Sequence, residues 1–179
     1  VVYLLIRGEN AIGRVAEKLV PIMCGAYLLA TIVILLMNIT YVPTGSMIPT
    51  ISEHSVLISL REYNTDELQR GEIYSFHSDE LGKTLIKRLI GLPGETVRIE
   101  GNGNIYINDV RLDEPYVKNQ EYDYTGTFEV PEGYYFFLGD NRSGSSDARY
   151  WDNPYIKAED VISRAVFTIF PFSGFGFLE

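Results

Sequence analysis

The longest apolar stretch of the chain lies near its N-terminus. No charged residue occurs in residues 19–52, and the run LVPIMCGAYLLATIVILLMNI has about the twenty apolar residues that a helix needs to cross a bilayer. We therefore predict a transmembrane helix over residues 19–41, preceded by a cytoplasmic segment, residues 1–18. A buried core helix and a cleavable signal peptide are the alternative interpretations. The run is long for a signal peptide core, and residues 38–40 do not form a small-residue cleavage site.

Basic residues flank this run unequally. Arg7, Arg14 and Lys18 precede it, whereas Arg61 is the first lysine or arginine after it. By the positive-inside rule, the N-terminus is predicted to lie in the cytoplasm. The chain is thus expected to be a single-pass protein of the cell membrane, with residues 42–179 forming an extracytoplasmic domain.

That domain has the pattern of a mostly β protein. Short runs rich in β-branched and aromatic residues are typical of strands, and they cover residues 56–59, 73–76, 84–90, 97–99, 105–107 and 134–138. The segment TVRIEGNGNIYINDVRL has two alternating runs around a turn-forming cluster, which predicts a hairpin. Residues 119–127 are polar, tyrosine-rich and without periodicity, so they are predicted to form an exposed loop.

Composition excludes several kinds of partner. The chain has 24 acidic and 15 basic side chains, for a formal charge of -9, and such a protein repels the phosphate backbone of nucleic acid. Cys24 is the one cysteine, and His54 and His77 are the two histidines. This inventory predicts no disulfide, no zinc or iron site and no cofactor.

Ser46 stands in the stretch PTGSMIPTI, a few residues after the apolar run. A serine hydroxyl is a weak nucleophile unless a base takes its proton, and the usual base is a histidine backed by a carboxylate. His54 follows closely, but no paired Asp/His/Ser pattern accompanies it. An ordinary turn serine is the simpler interpretation of Ser46 alone.

Lys87 is a second candidate base. Strand alternation in LIKRLIG places Lys87 on one face with Leu85 and Leu89, and Arg88 on the other face. An ammonium among apolar side chains has a lowered pKa, because burial disfavours the charged form, and the neutral amine is a competent general base. The competing interpretation is a lysine whose aliphatic stem packs while its charge reaches water.

The chain resembles the bacterial type I signal peptidases, which are membrane-anchored Ser-Lys proteases. The resemblance rests on TGSMIPT, RGEIYSF, IKRLIGLPGE and LGDNRSGSSDAR, which occur in the family's order after an N-terminal apolar segment. It implies an antiparallel β domain that removes signal peptides from exported pre-proteins after small residues, at Ala-x-Ala-like sites. The implied partners are those signal peptides and the membrane lipid.

The resemblance also implies catalytic roles. Ser46 matches the nucleophile and Lys87 the general base, while the Ser46 amide and the Thr44 hydroxyl match the oxyanion hole. Ser145 matches the serine that orients the lysine. Supporting residues that hold the active-site loops are implied at Asp140, Asn141, Arg142, Asp147 and Arg149. The chain departs from many relatives at Ala148, where serine is common, and loss of that hydroxyl is expected to loosen the network beside it.

Substrate binding follows from the same resemblance. Signal peptides present small side chains before the cleaved bond, so shallow apolar pockets are implied, and Met47, Leu85 and Ile86 are the predicted lining residues. The peptide is expected to bind as an added strand beside the lysine-bearing segment.

The C-terminal stretch FTIFPFSGFGFLE is rich in phenylalanine and too short to span a membrane. It is predicted to form a final core strand. The alternative is that Phe172, Phe175 and Phe177 contact the lipid surface.

Other functions fit the residues less well. A catalytically silent relative that binds pre-proteins or assists surface assembly is expected to lose Ser46, Lys87 or Ser145. The SOS-repressor autoproteases have a similar dyad but carry a DNA-binding module and no membrane anchor. Ser-x-x-Lys hydrolases need a lysine three residues after the serine, and the signal peptidases of the endoplasmic reticulum have histidine in place of the lysine.

Overall fold

The computed structural model describes residues 2–178. It begins with helix α1 (Val2–Leu36), of 35 residues. Its segment Val15–Leu36 is long and apolar enough to cross a membrane, and none of its most apolar window is buried within the protein. Arg7 and Arg14, on which the predicted orientation depends, lie outside the described side chains. The chain divides after this helix into a separate compact unit, residues 38–179.

Strands make up most of the second unit. In the described residues they are β1 (Met37–Val42), β2 (Ser55–Arg61), β3 (Ile73–Ser78), β4 (Lys83–Gly91), β5 (Thr96–Ile99), β6 (Ile105–Ile107), β7 (Val110–Arg111), β8 (Gly126–Glu129), β9 (Tyr134–Leu138), β10 (Tyr155–Lys157), β11 (Val161–Phe170) and β12 (Gly176–Phe177). Short 3-10 helices cover Arg142–Gly144, Ala158–Asp160 and Phe172–Gly174.

The strands form two sheets. The larger has the order β1-β2-β11-β3-β4-β9-β10, with β12 added to β11, and the smaller has the order β7-β6-β5-β8. Neighbours from β2 to β10 in the larger sheet, and all neighbours in the smaller one, run antiparallel. The prediction of a mostly β, antiparallel domain after one apolar helix is confirmed.

The end of the helix differs from the prediction. The predicted span reached residue 41, whereas α1 ends at Leu36 and Met37–Val42 pairs with β2. Ile39, Thr40 and Val42 explain the change, because β-branched side chains favour a strand that has a partner over continued helix. The sequence did not show where the helix ends, because the residues of β1 are mostly apolar like those of the helix.

The other predicted elements agree closely. All six predicted strands are present, most of them longer by a few residues, and β5 and β6 form the predicted hairpin. The predicted loop ends early, because β8 takes up residues 126–127. Of the phenylalanine-rich stretch, only its start lies in β11. Phe172 and Phe177 are each 82% exposed and Phe175 is 59% exposed, so they do not belong to the core.

Two apolar clusters stabilise the domain. The larger lies between β3, β4 and β9 of one sheet and β5 and β6 of the other, and includes Phe76, Leu89, Val97 and Phe137. The smaller gathers side chains from β1, β2, β3, β4 and β11 and from the β1–β2 connection. Because β11 lies between β2 and β3, it joins the strands beside that connection to β4.

Candidate active site

Ser46 lies in the connection between β1 and β2. Met47 and Ile51, on the same turn, are 0% and 1% exposed in the smaller apolar cluster, and the Ile51 amide donates to the Met47 carbonyl at 2.9 Å. Gly45 lies close to its neighbours, because a Cβ there would come within 2.7 Å of the Glu53 side chain and 2.8 Å of the Ile48 side chain, and both would have to shift. Ser46 itself is 7% exposed, so the packing of the turn fixes its hydroxyl at the edge of the core.

Lys87 reaches the same point from β4. Its Nζ donates a hydrogen bond of 2.6 Å to Ser46 Oγ, and the residue is 3% exposed. When the amine is neutral, the donor and acceptor of this hydrogen bond can exchange, because the nitrogen lone pair can then accept the serine proton. The structure thus brings the two predicted catalytic side chains into direct contact.

The electrostatic environment favours a neutral amine. Burial lowers the pKa of Lys87 from 10.5 to about 8, since the folded protein removes water from the ammonium group. The charges of Lys83 and Arg149 also lower this pKa, whereas Asp147 and Asp140 raise it. At pH 7.4 the neutral fraction of Lys87 therefore rises from about 0.1% to about 20%.

Asp140 connects the strand of Lys87 to the turn of Ser46. Its fully buried carboxylate accepts hydrogen bonds from Arg88 Nε at 2.8 Å and from Thr50 Oγ1 at 2.5 Å. Arg88 follows Lys87 on β4 and is 2% exposed. Sequence analysis gave Asp140 a supporting role but missed Arg88 and Thr50. The arginine inside an apolar strand was the available signal, because such a charge needs a buried partner.

Asn141 holds the nucleophile turn by its backbone and side chain. Its amide donates to the Ser46 carbonyl and its Nδ2 to the Gly45 carbonyl, each at 3.0 Å. Asn119 Nδ2 in turn donates to Asn141 Oδ1 at 3.1 Å. The position of Ser46 therefore depends on a segment that lies far away in the sequence.

Three more predicted supporting residues surround Gly139. The Gly139 amide donates to Asp147 Oδ2, and Arg142 Nε donates to the Gly139 carbonyl, both at 2.9 Å. Arg149 donates from Nε to Asp147 Oδ1 at 2.8 Å. Glu114, which sequence analysis missed, forms a buried ion pair of 2.6 Å with Arg142. No motif surrounds Glu114, so its role is visible only in the fold.

Ser145 lies at the site without the contact to Lys87 expected of it, and Thr44 lines the cleft. Ser145 is 6% exposed and packs so closely on Gly139 that a Cβ added there would come within 2.2 Å of its Oγ. Among the described residues, Ser145 Oγ has no hydrogen-bond partner. Thr44 is exposed. The lysine-orienting and oxyanion-hole roles of these two side chains remain predictions.

A cleft of about 290 Å³ opens beside the serine and the lysine. It is lined by residues 40–44, by Ser46 and by residues 83–87. Leu85 and Ile86 belong to this lining, and their role as a substrate pocket stays a prediction. Met47 does not, which corrects its predicted place: the turn directs it into the smaller apolar cluster, where it is fully buried.

His54 does not take part in a catalytic triad. It is exposed, and its Nδ1 lies 2.7 Å from the hydroxyl of Tyr41, whereas the partner of the Ser46 hydroxyl is Lys87. Within the described residues, no three His, Cys, Asp or Glu side chains are grouped so as to hold a metal ion.

Ala148 does not loosen the supporting network. It is fully buried in the larger apolar cluster. The neighbouring Asp147 still accepts hydrogen bonds from Arg149 Nε at 2.8 Å and Nη2 at 3.0 Å. The expectation of a weakened network was therefore wrong, because the aspartate is satisfied by the guanidinium and by backbone.

Comparison with known proteins gives consistent matches. The family model described as signal peptidase, peptidase S26, matches residues 14–170. Signal peptidase I of Leptolyngbya laminosa is 36% identical over 145 residues, covering 76% of this chain and 70% of the relative. Signal peptidase I U of Bacillus subtilis is 35% identical over 138 residues, covering 72% and 73%. A solved signal peptidase I from Enterococcus faecalis is 40% identical, with coverage of 53% of this chain and 93% of that chain. The TM-score of this match is 0.46.

Proposed function

Because this chain belongs to the signal peptidase family, peptidase S26, and is a serine protease that removes signal peptides, we propose that Ser46 and Lys87 are its catalytic pair. The observation that carries the proposal is the contact of 2.6 Å between Lys87 Nζ and Ser46 Oγ. Both residues are buried, and the lowered pKa of Lys87 gives a base that is partly neutral near physiological pH.

The reaction then proceeds in two halves. Ser46 Oγ attacks the scissile carbonyl carbon while Lys87 Nζ takes the hydroxyl proton, and the resulting ammonium protonates the leaving amine. This gives an ester between Ser46 and the signal peptide. Water attacks the ester after Lys87 removes one of its protons, and the lysine returns that proton to the serine oxygen.

Two donors stabilise the tetrahedral intermediates in this proposal. They are the Ser46 amide and the Thr44 hydroxyl, and a donor aimed at the developing oxyanion contributes about 3 to 4 kcal/mol. Thr44 is exposed and lines the cleft beside Ser46. Ser145 positions the lysine amine once the serine proton moves, and its buried, unpartnered hydroxyl is available for that contact.

The substrate binds as an extended strand along the cleft. Residues 83–88 of β4 pair with β3 on one edge, whereas β9 pairs with β4 only from Arg88 onward. The other edge of residues 83–87 is therefore open within the described part of the chain, and a peptide can use its amides and carbonyls. Leu85 and Ile86 limit the side chains before the cleaved bond to small ones.

The membrane arrangement is also part of the proposal. Helix α1 spans the cell membrane once, with the N-terminus in the cytoplasm and the β domain outside. The exposed Phe172, Phe175 and Phe177 contact the lipid surface. Changing these three to serine should reduce vesicle binding by residues 38–179 fused to a soluble carrier, and unchanged binding would contradict the lipid contact.

The experiment that tests the catalytic pair is cleavage of a pre-protein with an Ala-x-Ala site by the detergent-solubilised chain. Ser46→Ala and Lys87→Met should each reduce cleavage by at least about 10²-fold, with the β domain still folded by circular dichroism. Lys118→Met, at an exposed lysine outside the cleft, is the matched control and should cleave normally. Substantial cleavage by the Ser46 variant would refute the proposed nucleophile.

A further inference from the structure

The charged side chains that line the cleft have the same sign. Among the described lining residues, those with charge are Lys83 and Lys87. The whole chain, in contrast, carries a formal charge of -9. A cationic cleft in an acidic protein is a local feature that total composition does not predict, and it acts on whatever peptide occupies the cleft.

The ammonium of Lys83 is not used in an ion pair that stabilises the described part of the fold. It is exposed at the start of β4, and it takes part in none of the ion pairs found among the described residues. The nearby carboxylates are engaged elsewhere: Asp79 lies 3.9 Å from Lys157, and Glu80 accepts the amides of residues 152 and 153. The ammonium of Lys83 is therefore available to a ligand.

The position of Lys83 on β4 fixes where that ligand charge must lie. Lys83, Leu85 and Lys87 alternate along the strand, so their side chains share one face. Four residues of strand span about 13 Å at about 3.3 Å per residue. A peptide paired with this strand advances by the same step, so the residue that meets Lys83 is about four positions from the residue at the serine and lysine.

We propose that Lys83 is a specificity-determining residue, which selects an acidic side chain at about the fifth residue before the cleaved bond. This inference rests on the proposed function, in which the residues before the bond lie along Leu85 and Ile86. The carboxylate of such a residue pairs with the ammonium of Lys83, and a basic residue at the same place is repelled by it.

Three peptides test the selection. They share an Ala-x-Ala site and differ only at the fifth residue before the bond, which is Glu, Gln or Lys. The full chain in detergent should cleave them in the order Glu, Gln, Lys, with kcat/KM falling about twofold to fivefold at each step, as expected for an exposed ion pair. High salt should reduce these ratios toward one, because it screens exposed charges.

Substitutions identify the residue responsible. Lys83→Gln should make the three peptides equal, and Lys83→Glu should reverse their order, whereas Lys118→Gln should keep the wild-type order. The charge of Lys83 also lowers the pKa of Lys87, so its loss changes cleavage of all three peptides together. Only the ratios within each enzyme measure selection.

The outcomes separate this proposal from the one it rests on. If the wild-type chain cleaves the Gln peptide but treats all three alike, or if Lys83→Gln keeps the order, the role of Lys83 is refuted and the catalytic proposal stands. If the wild-type chain cleaves none of the three, the proposed function fails and the role of Lys83 fails with it.

Discussion

The pH dependence of cleavage is the most direct consequence of the buried lysine. In the proposed mechanism only the neutral amine of Lys87 can take the serine proton, so activity follows the fraction of that residue without a proton. The folded protein lowers its pKa to about 8. A lysine in water, with a pKa of 10.5, would instead remain almost fully charged up to pH 9.

The magnitude follows from this shift. Lowering the pKa from 10.5 to about 8 corresponds to about 3 kcal/mol. Between pH 6 and pH 7 the neutral fraction rises from about 1% to about 9%, so kcat/KM should rise about ninefold. The increase should slow above pH 7.5 and reach half of its plateau near pH 8.

The assay is kcat/KM for an Ala-x-Ala peptide without ionisable side chains near the bond, since this quantity reports the pKa of the free enzyme. Circular dichroism at each pH shows that the domain stays folded. Lys83→Gln should move the midpoint upward because it removes a charge that lowers the pKa of Lys87, and Lys118→Gln should not move it. A flat profile from pH 6 to 8, or a midpoint above 10, would refute Lys87 as the base.

Three further predictions concern the stability of the domain and the packing around the Ser46 turn. Lys87→Met should raise the free energy of unfolding by about 3 kcal/mol at pH 7, where the buried ammonium is charged in both states. This stabilisation should fall to about 1 kcal/mol at pH 9.5, because between pH 8 and 10.5 the native lysine has lost the proton that the unfolded one retains. A stabilisation that stays the same at both pH values in denaturant titrations would contradict this reasoning. Asp140→Ala should lower the free energy of unfolding by about 3 to 5 kcal/mol, because it removes the buried carboxylate that balances the charge of Arg88. Glu100→Ala, in a surface ion pair, should lower it by less than about 1 kcal/mol. Equal melting temperatures for these two variants would exclude this account. Gly139→Ala should abolish cleavage, since its Cβ would lie 2.5 Å from the Ser46 carbonyl oxygen. Gly174→Ala, where the nearest atom is 3.8 Å away, should cleave normally, and an active Gly139→Ala would show that the turn can shift.

Local patterns predicted six of the strands but missed β8, β10 and most of β11, which has ten residues and is the longest. Alternation and β-branched residues identified β4 and β9, and the turn cluster identified the hairpin of β5 and β6. Strand β1 was missed because its apolar residues continue the pattern of the helix. Strands β7 and β12 have two residues each, too few to show any periodicity.

The site was predictable as a set of residues but not as a network. The motifs gave Ser46 and Lys87, and the structure brings them together. Met47 was misplaced because adjacency to Ser46 says nothing about which way a turn directs each side chain. Arg88 and Glu114 were missed since their partners lie 52 and 28 residues away along the chain, and no local pattern reports such a separation.

The position of β11 in the larger sheet affects when the site can form during synthesis of the chain. Its residues, Val161–Phe170, lie between β2 and β3, and so between the part of the sheet next to Ser46 and the part that carries Lys87. During synthesis, Ser46 and Lys87 leave the ribosome well before this strand does. In the proposed mechanism, a nascent chain that has not yet added β11 is therefore expected to be inactive, because it lacks the strand that joins the two parts of the sheet.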